Sequence, residues 1–248
     1  MENILRKGWA KLFRYDWKFG LFLILLFGIP RFILVLQANT EGGYGTVSII
    51  FIIMWFAPLL FLTKSGQKYI GVVKPQSLLC ILYSFLAGIL FCILLFGISN
   101  LLFADTIANS FVYISSSYLL PEGLSGSDKL TFFLIFALTG MIFSPIGEEL
   151  LYRGIIHGSF VNKFGEREAS FLDSIAFAIT HLSHFGIIYY AGKWDFLFLP
   201  SAIWLVSMFL VSQLFFRCKQ LSGSIVGAIV CHAGYNLTMI YFIIYHVL

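Results

Sequence analysis

Hydrophobic runs long enough to cross a membrane recur along the whole chain and constrain its fold more than any other feature. A helix of roughly 20 apolar residues spans the hydrocarbon core of a bilayer. Backbone polar groups in lipid must be paired within the protein, which favours helices. The sequence therefore predicts an all-α, polytopic transmembrane helical bundle. Its predicted spans are residues 17–38, 44–63, 78–103, 130–156, 169–190, 197–216 and 223–246.

The number of spans depends on one further segment. Residues 108–120 are apolar but rich in serine, so they form either a short extra helix or a re-entrant or interfacial segment. We therefore predict seven or eight spans. Only 11% of the residues are charged, whereas a soluble domain carries about 25%. No polar linker divides the chain, so residues 1–248 are predicted to form a single membrane-embedded domain.

Basic residues cluster in alternate loops when seven spans are counted. Because cytoplasmic loops are enriched in Lys and Arg, the pattern predicts a cytoplasmic N-terminus and an external C-terminus. The net charge of +4 comes from these helix ends and does not indicate nucleic-acid binding. The clusters are Arg6, Lys7, Lys11, Arg14 and Lys18; Lys64, Lys68 and Lys74; Lys163 and Arg167; Arg217 and Lys219.

Two adjacent acidic residues, Glu148 and Glu149, lie in the fourth hydrophobic run. Carboxylates at membrane depth are costly and by default indicate a functional site. Arg153 follows Glu149 by four residues, so the two share a helical face and are predicted to form an ion pair. Glu148 points about 100° away and is left to face a site as a general acid or base. The alternative is that this helix reaches the cytoplasm here and that all three residues are solvated.

Two later hydrophobic segments each carry a histidine motif. His181 follows Phe177 by one helical turn, and His232 precedes Asn236 by one turn. Imidazole carries protons near neutral pH, and imidazole and carboxamide groups on one face are good donors to an oxyanion. The helical rise places both histidines and Glu148 in the cytoplasmic half to middle of the membrane, which predicts one polar site with water access from the cytoplasm. There are two alternatives. His181 would be a buried core histidine whose hydrogen bonds are made within the protein, and His232 and Asn236 would make polar contacts between helices.

The remaining polar residues of the hydrophobic runs are interpreted more simply. Arg31, in the first run, is predicted to snorkel to the interface or to cap a kink. His184 either supports His181 or lies near the far interface, and His157 and His246 are given no role. The four cysteines lack metal-binding spacing and are interpreted as small buried hydrophobes.

The three motifs, in this order on separate hydrophobic segments, resemble the CAAX protease and bacteriocin-processing (Abi) family of intramembrane endopeptidases, and are similar to those of type II CAAX prenyl endopeptidases. The family pattern is Glu-Glu-x-x-x-Arg, then Phe-x-x-x-His, then His-x-x-x-Asn. The chain matches it without departure through Glu148, Glu149, Arg153, Phe177, His181, His232 and Asn236. The resemblance covers about residues 130–248, which would be the catalytic half of the domain.

The resemblance implies a glutamate-dependent peptidase that uses no metal and no cofactor. Glu148 and His181 would activate a water molecule, and His232 and Asn236 would stabilise the oxyanion. The structural or substrate-positioning residues would be Glu149, Arg153 and Phe177. The implied partners are the bilayer and a hydrophobic, prenylated or membrane-associated peptide or protein. Compactness favours a bacterial member in the cytoplasmic membrane.

Three alternatives stay open on the sequence. A non-catalytic membrane protein that binds a peptide, such as a bacteriocin self-immunity protein, would use the same residues for packing. A metal-dependent variant is conceivable because two histidines and a glutamate form a common catalytic zinc set. A proton-coupled transporter would use Glu148, His181 and His232 as a relay, but the chain shows no inverted repeat and no paired broken helices.

Overall fold

In the computed structural model, which describes residues 4–43, 45–121, 123 and 125–248, the chain is almost entirely helical. A π-helical segment, Leu150–Ile156, joins α7 to α8, and another, Ile243–Val247, extends α11. The predicted helical bundle is therefore confirmed. Its helices are α1 Lys7–Ala10, α2 Trp17–Glu41, α3 Val47–Phe61, α4 Lys64–Tyr69, α5 Leu78–Phe103, α6 Ser110–Ser115, α7 Gly126–Glu149, α8 His157–Phe164, α9 Glu166–Thr180, α10 Phe198–Ser222 and α11 Ile225–Phe242.

Five stretches of the described chain are long and apolar enough to cross a membrane. The helix α3 is apolar but shorter, with 15 residues. Helix length and composition thus account for five of the seven or eight predicted spans. The five are Trp17–Glu41, Leu78–Phe103, Gly126–Phe164, Phe198–Ser222 and Ile225–Val247.

The predicted span 169–190 is shorter than expected. Helix α9 ends at Thr180, a 3-10 turn covers His181–Ser183, and an antiparallel hairpin follows, with strands β1 Ile187–Tyr190 and β2 Lys193–Phe196. The strand β1 consists of β-branched and aromatic residues, which favour extended structure. The two loop residues, Ala191 and Gly192, both have positive φ (50° and 77°), as a primed hairpin turn requires.

The serine-rich segment 108–120 contains only the short helix α6. Its six residues rise about 9 Å, far less than the roughly 30 Å of a bilayer core. The cap of α6 is Asn109, whose side chain accepts from the backbone N–H of Phe111 at 3.0 Å. The segment therefore adds a helix but not a membrane-crossing one.

The basic clusters lie together at one end of the bundle, which we call the basic end (residues 4–18, 61–78, 157–170 and 217–225). Backbone bonds join these stretches: the N–H of Arg6 donates to the carbonyl of Phe61 at 3.0 Å, and the N–H of Ile225 to that of Gly71 at 2.8 Å. Residues 42–43, 45–46, 104–121 and 184–197 lie at the opposite end. The basic end carries twelve of the 16 Lys and Arg residues, and the other four are Arg31, Lys129, Arg153 and Lys193.

Helix α11 lies at the centre of the bundle and contacts α5, α7 and α10. Glycines allow its close approach to α5. A Cβ at Gly88 would meet the backbone carbonyl of Cys231, and one at Gly234 would meet that of Phe85. Small residues at such interfaces let helix backbones approach closely in a membrane. This packing places the polar residues of α11 deep inside the bundle.

Candidate active site

The structure brings residues of all three motifs to one cavity of about 430 Å³. Glu148 comes from the last turn of α7, and His181 begins the turn after α9. His232 and Asn236 come from α11 and face the same space. Phe177 of α9 completes this set of lining residues.

Glu149 lies behind the cavity in a buried ion pair. Its Oε2 is 3.2 Å from Arg153 Nε, and both side chains are 0% exposed. Its Oε1 is 2.9 Å from His232 Nδ1. The guanidinium of Arg153 also lies 4.1 Å from the ring centre of Phe177, a favourable cation–π geometry. The alternative in which this segment is solvated is therefore wrong.

The helix changes its winding directly after Glu149. Residues Leu150–Ile156 are π-helical, and such segments are frequent at functional sites. Two carbonyls of this segment accept hydrogen bonds from other elements: that of Ile155 from Tyr15 Oη at 3.0 Å and that of Arg153 from Lys219 Nζ at 2.6 Å. These bonds tie the segment that carries Arg153 to the basic end.

Glu148 is paired with a residue that the sequence motifs do not include. Its Oε1 lies 2.6 Å from Nη2 of Arg31, and each side chain is only 1% exposed. Arg31 Nη1 donates to Thr180 Oγ1 at 2.6 Å, and Nη2 lies 3.3 Å from His184 Nε2. The prediction that Arg31 snorkels or caps a kink is therefore wrong, and Glu148 has a buried cationic partner. His184 lines the cavity and contacts Arg31.

The contacts of His181 define its tautomer. Its Nδ1 is 2.7 Å from the carbonyl oxygen of Phe177, which only accepts, so Nδ1 carries the proton. Its Nε2 is 3.2 Å from Arg31 Nη2, which only donates, so Nε2 is the acceptor. His181 is therefore neutral, and its Nε2 lone pair is occupied by Arg31. The backbone carbonyl of His181 accepts from Trp204 Nε1 at 2.9 Å.

His232 and Asn236 both contact α7. His232 Nε2 lies 3.7 Å from Glu148 Oε2, which is too long for a hydrogen bond. The carboxamide of Asn236 donates to the carbonyl of Gly140 at 2.8 Å and to Ser144 Oγ at 3.1 Å. The alternative of polar contacts between helices thus describes Asn236 in this arrangement, whereas His232 lies between the two glutamates.

The charges of the site balance within the described residues. Two guanidinium groups, of Arg31 and Arg153, pair with two carboxylates, of Glu148 and Glu149. Buried charges are tolerated only when they are paired, and here the two positive and two negative charges cancel. Across the described part of the chain, no group of three or more His, Cys, Asp or Glu side chains is arranged to hold a metal ion.

The histidines outside the cavity have other contacts. His157 is buried near the basic end, with Nδ1 2.8 Å from Asp173 Oδ2 and Nε2 3.0 Å from Glu166 Oε2. These contacts join α8 to α9. His246 lies near aromatic rings, 5.4 Å from that of Phe242. Both lie outside the set of cavity-lining residues.

The cavity extends from Glu148 toward the end opposite the basic end. Its floor is formed by Glu148, Phe215 and His232, and its rim includes Gly45 and Ser117 of the opposite end. On the basic side, the fully buried side chains of Tyr152, Ile155 and Ile156 lie behind the floor. The cavity therefore opens away from the basic end.

The comparison with known families agrees with the motifs. Residues 130–238 match the family model described as "Type II CAAX prenyl endopeptidase Rce1-like". The resemblance to the CAAX protease family is thus confirmed over this segment. The matched segment, somewhat less than half of the 248 residues, contains all seven motif residues but not Arg31. No curated protein and no solved structure matches the chain significantly.

The CAAX-family match supports an intramembrane protease, and therefore a hydrolase that acts on a peptide or protein. The five long apolar helices support an integral membrane protein. The cavity connects these two statements, because five of the seven motif residues line it within the helical bundle.

Proposed function

We propose that the chain is a metal-independent, glutamate-dependent endopeptidase of the membrane. It would hydrolyse a peptide bond in a hydrophobic, prenylated or membrane-associated peptide or protein. The observation that carries this proposal is a buried carboxylate, Glu148, on the floor of a cavity whose residues come from all three motifs. The reaction class comes from the family match over residues 130–238.

In this proposal Glu148 is the general base. It removes a proton from a water molecule, whose oxygen attacks the carbonyl carbon of the scissile bond. His232 Nε2 lies 3.7 Å from Glu148 Oε2. The histidine is therefore close to the oxyanion that develops when the water activated by Glu148 attacks. His181 assists only after Arg31 Nη2 withdraws, because that nitrogen occupies its Nε2 lone pair. The proton taken by Glu148 then passes to the leaving amine.

The other motif residues would hold this arrangement. His232 and Asn236 would donate to the oxyanion. For His232 this requires a proton on Nε2 in addition to the one on Nδ1, because the carboxylate of Glu149 only accepts from Nδ1. For Asn236 it requires that the bond to Ser144 or Gly140 be exchanged for one to the substrate. Glu149 bonds the far nitrogen of His232 and so orients its ring. Arg153 and Phe177 pack beneath this pair. Low-dielectric surroundings strengthen both the general base and the oxyanion contacts.

The basic end would face the cytoplasm, because it carries most of the Lys and Arg residues. We count seven spans within one domain, with α7 and α8 forming a single span. An odd number of spans then puts the N-terminus inside and the C-terminus outside. The spans are α2, α3, α5, α7 with α8, α9, α10 and α11. The cavity opens at the opposite end. The substrate would therefore reach the site from the outer face or from the bilayer, as an exported peptide does.

Chemical labelling of introduced cysteines tests this orientation. We expect Ser117→Cys, at the cavity rim, to react with a membrane-impermeant maleimide in intact cells. Lys68→Cys, exposed at the basic end, should react only after permeabilisation. Both variants are made in a background in which the four native cysteines are replaced by serine. The reverse labelling pattern would put the cavity mouth in the cytoplasm.

Peptide mass spectrometry tests the activity itself. Hydrophobic peptides are compared between membranes with the wild type and membranes with Glu148→Gln at matched levels. We expect at least one peptide that is cut only by the wild type. Glutamine is the better control than alanine, because alanine would leave the buried guanidinium of Arg31 without its carboxylate partner.

The second candidate is a peptide-binding or bacteriocin self-immunity protein without catalysis. It is favoured by two observations: the Nε2 of His181 and both amide hydrogens of Asn236 are already engaged. A cavity of about 430 Å³ is large enough for several side chains of a bound peptide. Protection or peptide retention that persists in Glu148→Gln, with no peptide cut, would support this function.

A further inference from the structure

One guanidinium group at the cavity contacts both groups to which the proposed function assigns water activation. Arg31 Nη2 lies 2.6 Å from Glu148 Oε1 and 3.2 Å from His181 Nε2. Its Nη1 donates to Thr180 Oγ1 at 2.6 Å, and this bond fixes the plane of the guanidinium group. Arg31 is the one Lys or Arg among the cavity-lining residues that the structure describes.

We infer that Arg31, far outside the matched segment, is a positioning residue of the active site. It keeps Glu148 ionised and holds His181 neutral with its proton on Nδ1. This inference rests on the proposed function, in which Glu148 is the base. It explains how a carboxylate that is only 1% exposed is kept in the charged form that a base requires, although burial disfavours the charge.

The surroundings of Glu148 leave Arg31 as its direct cationic partner. Arg153 is in contact with Glu149 instead, at 3.2 Å. His232 is bonded to Glu149 through Nδ1 and lies 3.7 Å from Glu148. The ionisable and charged groups around Glu148 are Arg31 from α2, His181 from the turn after α9, His232 from α11, and Glu149, Tyr152 and Arg153 from its own helix.

The first test is the pH dependence of cleavage in Arg31→Met, measured on the peptide that the wild type cuts. Without the guanidinium, the carboxylate of Glu148 is left buried with no cation in contact. We expect kcat at neutral pH to fall about a hundredfold or more with little change in KM. The acidic limb of the pH profile should move to higher pH, because burial disfavours an unpaired charge, so that activity returns as the pH rises.

Two further variants separate charge from geometry. Arg31→Lys keeps the charge but loses the planar fork, so the acidic limb should stay in place while kcat falls. Thr180→Val removes the acceptor of Nη1 without changing any charge, and should lower kcat several-fold with an unshifted limb. Arg217→Met, an exposed arginine at the basic end, is the matched control and should behave as the wild type.

A readout without activity distinguishes failure of this inference from failure of the proposed function. Infrared difference spectra detect the C=O stretch of a protonated carboxyl group. We expect such a band at neutral pH in Arg31→Met that disappears in Arg31→Met/Glu148→Gln, and no such band from Glu148 in the wild type. If Arg31→Met does not fold, two measurements still test the inference. One is the comparison of the infrared spectra of the wild type and Glu148→Gln, and the other is the pH profile of Arg31→Lys.

The inference is overturned by either of two results. One is a protonated Glu148 in the wild type at neutral pH. The other is a kcat and pH profile of Arg31→Met or Arg31→Lys that match those of Arg217→Met. Spectra that show the expected ionisation, without cleavage of any peptide, would keep the electrostatic role of Arg31 and reject proteolysis instead.

Discussion

Replacing Arg153 by methionine is expected to destabilise the folded bundle by about 3–5 kcal/mol. The substitution leaves the carboxylate of Glu149, which is 0% exposed, without its cation in a low-dielectric interior. It also removes the stacking of the guanidinium on Phe177 and Phe215. The free energy of unfolding is measured by denaturant titration of the purified protein in detergent micelles, followed by circular dichroism.

A double-mutant cycle separates the charge from the packing. Arg153→Met/Glu149→Gln removes both charges, so it should be less destabilised than Arg153→Met alone. Arg167→Met, an exposed arginine at the basic end, is the control and should stay within about 0.5 kcal/mol of the wild type. An equally small effect in Arg153→Met would mean that the ion pair is solvated in the native protein.

The long helices could be predicted from the sequence because uninterrupted apolar runs permit few structures in a membrane. The run 169–190 could not, since hydropathy does not distinguish an apolar helix from the apolar strand Ile187–Tyr190. What decides there is the Ala191–Gly192 turn, whose positive φ angles close a hairpin. A turn signal within an apolar run therefore outweighs hydropathy, and the same weakness makes the number of spans hard to predict.

The site could be predicted in part. The motifs name Glu148, His181 and His232, and the four-residue spacing gives the ion pair between Glu149 and Arg153. Arg31 was outside this reasoning because its contact with Glu148 depends on how α2 packs against α9 and the π segment, which no local pattern encodes. The cost of burying a charge, applied to Glu148, applies equally to an arginine in an apolar run and could have identified it.

The direction of the cavity was also beyond local patterns. The depth of Glu148, His181 and His232 indicates a shared level but not which side of that level is filled. In the structure, aromatic and aliphatic side chains of the π segment, including Tyr152 and Ile155, occupy the basic side. The opposite side is left open as far as Gly45 and Ser117. Packing of long side chains, rather than the motifs, therefore determines toward which end of the bundle the cavity opens.

Replacing Glu148 by glutamine is expected to lower kcat/KM by about 10²–10⁴-fold while the bundle stays folded. Glutamine has nearly the same shape, and its side-chain oxygen can lie beside Arg31 Nη2, where the carboxylate oxygen lies at 2.6 Å. It cannot take a proton from water, so the general base is lost. The measurement is the initial rate of cleavage of the identified peptide in micelles, together with the unfolding free energy of the same sample.

Glu148→Ala separates the two roles of this side chain. It removes the base and also leaves the buried Arg31 (1% exposed) without a carboxylate, so we expect lost activity together with about 3–5 kcal/mol of destabilisation. Glu148→Asp keeps the charge but draws it back by one methylene, and should have intermediate activity. A fully active glutamine variant would assign proton transfer to another group, such as His181, and would remove the glutamate from the mechanism.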